Sequence, residues 1–148
     1  MRILLQVVKE ASIKVDEKIV SQIGKGFLLF VGFNYSDNHQ IIEKTLAKAL
    51  SLRLFADQDG KMNLGINDVG GEILCVSQFT LYADIKKGRR PSFNLAANAE
   101  VSEPYYQFAL EYIRNNGYQV KAGIFGTDMK VSLINDGPTT IIIDSEDL

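Results

Sequence analysis

The run GFLLFVGF, residues 26–33, constrains the fold more than any other stretch. A strand with one solvated face alternates apolar and polar side chains. This run is apolar nearly throughout, so both of its faces must be covered. GGEILCVSQFT, residues 70–80, is the next strong strand. The chain has 148 residues. That is enough for one real core, burying roughly 70% of the unfolded surface. With no repeat, low-complexity tract or linker, residues 1–148 read as a single domain.

The other elements follow from periodicity and punctuation. MRILLQVV and ASIKV read as two short strands broken at Lys9-Glu10, and EKIVSQI as a third, in a hairpin with ASIKV. Asp37 reads as a helix N-cap with Gln40 three residues on. Ile42, Leu46, Ala49 and Leu50 then form one apolar stripe, and the helix ends near Phe55, before the turn DQDG. Ser102 can cap a second helix with Pro104 in its first turn. Its stripe is Tyr106, Ala109, Leu110 and Ile113, and NNG at 115–117 ends it. YQVKAGIF, MKVSLIN and TTIIID read as three closing strands, the last two split by DGP. The pattern is α+β, with a largely antiparallel sheet and two main helices.

Composition excludes several functions. Net charge is −2, which argues against non-specific nucleic-acid binding by the whole surface but leaves room for a local basic patch. No apolar run is long enough for a membrane span or secretory signal, and the one cysteine fits a reducing cytosol. His39, the only histidine, falls in the first turn of an exposed helix without a partner motif, so Ser-His-Asp and Cys-His mechanisms are nearly removed. Cys75 sits mid-strand and reads as a small core hydrophobe. DQDG at 57–60 lacks the rest of a calcium loop, and no metal site is expected.

Three segments are harder to explain as scaffold. SQFTLYAD, residues 77–84, ends an apolar strand on Ser77 and Gln78, then offers a ring, a hydroxyl and a carboxylate. With strict alternation Ser77 and Phe79 share one face and Gln78 and Thr80 the other. Thr80 then stands at the strand end as a functional group, or Thr80 and Ser77 cap the loop backbone. IKKGRRPSF, residues 85–93, concentrates Lys86, Lys87, Arg89 and Arg90, either as a solvated loop or as a phosphate contact. NDGPTT, residues 135–140, joins two strands through Gly137-Pro138, either as a plain turn or as a rigid presenter of backbone carbonyls.

Together these segments resemble one family. SQFTLYAD…KGRRPSF and DMKVSLINDGPTT are similar to the two signature motifs of the D-aminoacyl-tRNA deacylases. ASIKVD, IGKGFLLFVG, LRLFADQDGKMN and GGEILCVSQFT follow in the family's order, so the resemblance spans essentially the whole chain. It implies a barrel-like sheet and hydrolysis of the ester of D-aminoacyl-tRNA, and of glycyl-tRNA, without cofactor or metal. It also implies a cytoplasmic homodimer, with no membrane or DNA partner. The catalytic pocket would be lined by Ser77, Gln78, Phe79 and Thr80, with Met129 in a substrate-binding segment. Gly137 and Pro138, joined by a cis bond, would enter from the other subunit and exclude L-amino acids. Lys86, Lys87, Arg89 and Arg90 would hold tRNA phosphates.

In such a pocket Thr80 is either a nucleophile or a positioning group. The second reading relies on the terminal 2′-hydroxyl of the tRNA and on backbone N–H groups near Phe79 and Thr80. One departure stands out. Family members usually carry QRV where this chain has QVV, so Val7 replaces an arginine thought to lock the Gly-Pro segment. LYAD for LYGD and PTT for PVT are smaller changes. Two other readings stay open: a non-catalytic RNA- or nucleotide-binding dimer, and a Thr80-dependent hydrolase of another acyl ester.

Overall fold

The computed structural model describes residues 1–148. Its frame is β1 (Arg2–Val15), one strand of 14 residues rather than two short ones. Lys9 and Glu10 are exposed, as a break would have them, but they form a β-bulge instead. On β1 the ladder steps from Val8 to Glu10 while its partner steps only from Asn135 to Ile134. The extra residue inverts the alternation. Ile3, Leu5 and Val7 therefore face one core, and Val8, Ala11 and Ile13 face another.

β2 (Lys18–Ile23) and β3 (Gly26–Gly32) share one edge of β1, while β8 (Lys130–Asp144) runs along the other. All three pairings are antiparallel. β6 (Glu72–Ser77) pairs parallel with β3, and β7 (Val120–Ala122) pairs parallel with β6. The helices α1 (His39–Ser51) and α2 (Ala99–Asn115) lie in these two crossovers. That explains the uninterrupted apolar runs. Phe27, Leu29, Val31, Ile73 and Cys75 pack in the core shared with the helices, whereas Leu28, Leu74 and Val76 join the second core inside the curled sheet. At Gly26 a Cβ would come within 1.8 Å of the Glu72 carbonyl oxygen, so only glycine lets β3 lie this close to β6. The sheet nearly closes into a barrel. β2 and β7 meet without a ladder, joined by Ser21 Oγ donating to Ala122 O and by Lys121 Nζ donating to Gln22 O at 2.7 Å.

The helix boundaries differ from the sequence reading. Asn38, not Asp37, caps α1, accepting from Ile41 N at 3.0 Å. Asp37 is buried and committed to the Met1 ammonium and to Asn34 N. α1 stops at Ser51, and Phe55 begins the short strand β4 (Phe55–Ala56), paired with β5 (Met62–Leu64) across DQDG. Asp57 Oδ1 accepts from the N–H groups of Asp59 and Lys61, each at 2.9 Å, which fixes that turn. Asn98 caps α2, and Ser102 lies inside it with its hydroxyl donating to Ala97 O. Pro104 therefore sits beyond the first turn. MKVSLIN and TTIIID belong to one strand that continues through DGP.

Leu29 is fully buried among both helices' apolar stripes. Leu29→Ala is expected to lower stability by about 2–5 kcal/mol, read as a shift in urea midpoint at unchanged slope.

Candidate active site

β6 ends at Ser77 because the chain leaves the extended conformation at Gln78 and tightens into a short 3₁₀ turn, Phe79–Tyr82. Gln78 N donates to Val31 O at 2.7 Å, which ties the turn to the end of β3. A cleft of about 790 Å³ opens beside this junction. Its walls are the ends of β3 and β6, the segment entering α2, and the loop 125–129.

Ser77, Gln78, Phe79 and Met129 all line this cleft. Thr80 does not, and alternation fails there because the strand has already stopped. Thr80 is exposed, and its hydroxyl oxygen accepts from Gln78 Nε2 at 2.6 Å. Neither it nor Ser77 caps the loop backbone. No imidazole or carboxylate is hydrogen-bonded to the Thr80 hydroxyl. The backbone N–H groups of Phe79 and Thr80 find no acceptor within the chain, as expected for the first donors of a helical turn.

The Phe79 ring is 54% exposed and meets Phe93 edge-on, with centroids 5.1 Å apart. Phe93 ends the basic loop, whose base is closed by a pair of backbone bonds between Asp84 and Ser92. Lys86, Lys87, Arg89 and Arg90 are exposed on that loop, outside the cleft and without ion-pair partners. Gly137 and Pro138 are also exposed and outside it. Their peptide bond is cis, and Gly137 has φ +114°, in the region that favours glycine.

Tyr35, Phe93 and Phe125 also line the cleft, though nothing in the sequence marked them as site residues. β7 is only three residues long, so Phe125 belongs to the loop that closes the cleft rather than to a strand. The signal for that loop was Gly126, which takes φ +74° there. His39 lies elsewhere, stacked on Phe108 at 4.0 Å. No group of three His, Cys, Asp or Glu side chains is placed to hold a metal ion.

A family model described as D-Tyr-tRNA(Tyr) deacylase matches residues 4–144. The chain belongs to this family. A relative from Thermomicrobium roseum, named D-aminoacyl-tRNA deacylase, is 50% identical over 148 residues, covering all of this chain and 96% of its own length. One of the same name from Dictyoglomus turgidum is 48% identical, covering all of this chain and 95% of its own. Among solved structures, the c-Myc DNA Unwinding Element Binding Protein matches with a TM-score of 0.92 at 38% identity, covering 97% of this chain and 98% of its own. A probable eukaryotic D-amino acid tRNA deacylase matches with a TM-score of 0.83, covering 95% of this chain and 97% of its own. At 17% identity that second match shows the fold alone.

Burial pushes the Cys75 thiol up to about 12, with Arg114 pulling weakly the other way. The folded state holds this proton more tightly than the unfolded chain, whose thiol titrates at about 8.5. The stabilisation is complete below that pH and declines as pH rises towards 12. Buried Tyr82 and Tyr106, both raised by desolvation, add in the same direction. The urea midpoint should therefore fall on going from pH 8 to pH 11. At pH 8 a disulfide reagent should label Cys75 only once urea unfolds the protein.

Proposed function

We propose that the protein hydrolyses the ester joining a D-amino acid to the 3′-terminal adenosine of tRNA. The carrying observation is that the segment marking the family resemblance, Ser77–Phe79, forms one wall of the cleft. Water adds to the ester carbonyl, the carbonyl carbon–3′-oxygen bond breaks, and the 3′-oxygen takes the proton. Free D-amino acid and reusable tRNA leave. The cytoplasm, where tRNA is charged, is the expected compartment, and no helix is long and apolar enough to cross a membrane.

The geometry favours catalysis by positioning. The Thr80 hydroxyl receives a hydrogen bond from an amide and has no base beside it, which is the wrong arrangement for a nucleophile. The unpartnered N–H groups of Phe79 and Thr80 are suited to a developing oxyanion. The terminal 2′-hydroxyl of the substrate assists the attacking water. Phe79, exposed at the cleft, offers a face or edge to the terminal adenosine.

Two copies complete the site, the Gly137-Pro138 segment of one entering the cleft of the other. Its exposure and its absence from the lining of its own cleft support this. So does β8, whose outer edge has no ladder partner and which exposes Ile134 and Ile142. Carbonyls occupying the space of an L side chain reject by clash, so many D side chains and glycine pass.

The name of the c-Myc DNA Unwinding Element Binding Protein favours a second reading, a nucleic-acid-binding dimer without catalysis. Deacylation of D-Tyr-tRNA and L-Tyr-tRNA, run side by side, separates the two. Fast loss of the D ester alone is expected. Retention of both charged tRNAs in a stable complex would leave the binding role.

A substrate ending in 2′-deoxyadenosine should be cleaved slowly, and Thr80→Ala should keep most activity. Removing a covalent nucleophile typically costs on the order of 10⁶ in rate, so a loss of that size at unchanged binding would restore Thr80 to the chemistry. Converting Lys86 and Lys87 to Ala should weaken tRNA binding and flatten its salt dependence. The expected change is about 0.7–0.9 in logarithmic slope per lost phosphate contact.

A further inference from the structure

Beside its bulge at Lys9-Glu10, the ladder between β1 and β8 opens at one further place. Gln6 pairs with Thr140 and Val8 with Asn135, so a single residue of β1 faces the four-residue arch Asp136–Thr139. The arch carries Gly137 and Pro138, and both are exposed. An arch of this kind keeps one position only if its base is held.

Asn135 holds the base with its entire side chain. Its Nδ2 donates to Val7 O at 2.9 Å on β1 and to Thr139 O at 3.0 Å across the arch. Its Oδ1 accepts from Gln6 Nε2 at 3.2 Å and from Thr140 Oγ1 at 3.0 Å. Gln6 Nε2 also reaches Thr140 Oγ1 at 3.4 Å, closing a ring of three side chains. Two donors and two acceptor sites are thus all engaged. The partners fix the amide's orientation, because carbonyl oxygens only accept. Position 7 contributes its backbone carbonyl alone, since the Val7 side chain is buried in the helix-facing core.

We propose that Asn135 is the positioning residue that fixes the Gly137-Pro138 arch, and through it sets how strictly the site rejects L-aminoacyl esters. The inference rests on the reading of the arch as the excluding element of a partner's cleft. It makes Asn135, with Gln6 and Thr140, the residue that serves in place of an arginine at position 7.

The test measures the ratio of D-Tyr-tRNA to L-Tyr-tRNA deacylation in the full-length protein. Asn135→Asp keeps the shape but turns an oxygen towards the carbonyls of Val7 and Thr139. It should lower the ratio by about tenfold or more, since setting a carboxylate against two half-buried carbonyls forfeits both hydrogen bonds and adds repulsion. The fall should come from faster cleavage of the L ester, with KM for the D ester changing less. Thr140→Val should lower the ratio by a smaller factor, and Thr140→Ser, which retains the hydroxyl, should preserve it. A general loss of stability affects both esters alike and leaves the ratio unmoved.

If Asn135→Asp folds and discriminates as the parent does, the proposal is overturned while the gate reading stands. Should that variant fail to fold, an unchanged ratio in Thr140→Val overturns it equally. A parent protein that cleaves both esters alike, or neither, overturns the gate reading and this proposal with it.

Discussion

The β-bulge at Lys9-Glu10 lets a single strand serve two separate cores. A strand of this length with unbroken alternation would present one apolar face and one polar face. The extra residue moves Ala11 and Ile13 onto the face of Val8, so the same strand lines the helix-packed core with one half and the interior of the curled sheet with the other. Bulges also raise local twist, which a sheet of this size needs in order to wrap on itself. β3 and β6 follow from that choice, because their second faces are covered only if the sheet curls.

Much of this was legible in the chain itself. The apolar runs of β3 and β6 announced two-sided burial, and both helix stripes occupy the core as their spacing requires. Cys75 and His39 stand where their neighbours implied, one buried in the sheet and one at the start of α1. What was not legible depended on competition between distant groups. Asp37 looks like a cap, but the Met1 ammonium claims its carboxylate, leaving Asn38 to start the helix. Ser102 looks like another, but its hydroxyl turns back to Ala97 O while Asn98 caps α2. Lys9-Glu10 resembles a chain break because a bulge and a break both expose two consecutive side chains. Pro138 suggested a gap between strands. In the fold it sits in an arch, where no ladder bond needs its missing N–H.

The site was half legible for a related reason. Ser77, Gln78, Phe79 and Met129 converge as their motifs imply. The role of Thr80 could not be read from alternation, since the strand ends before it and a 3₁₀ turn sets its direction. The result is a pocket with shape, rings and backbone donors but without an acid–base pair. On the proposed reading, such a site would gain selectivity from what it excludes and rate from where it holds its substrate.

The seam between β2 and β7 has a consequence for motion. Elsewhere around the curl the strands are joined by ladders, but here two side-chain-to-backbone bonds span the join. Amides along both rims lack the protection that a ladder confers, so this is where solvent exchange should begin. The loop carrying Phe125 and Met129 follows directly from β7. Breathing at the seam would therefore loosen one wall of the cleft while the helical core stays shut, leaving the cleft one soft side and one stiff one.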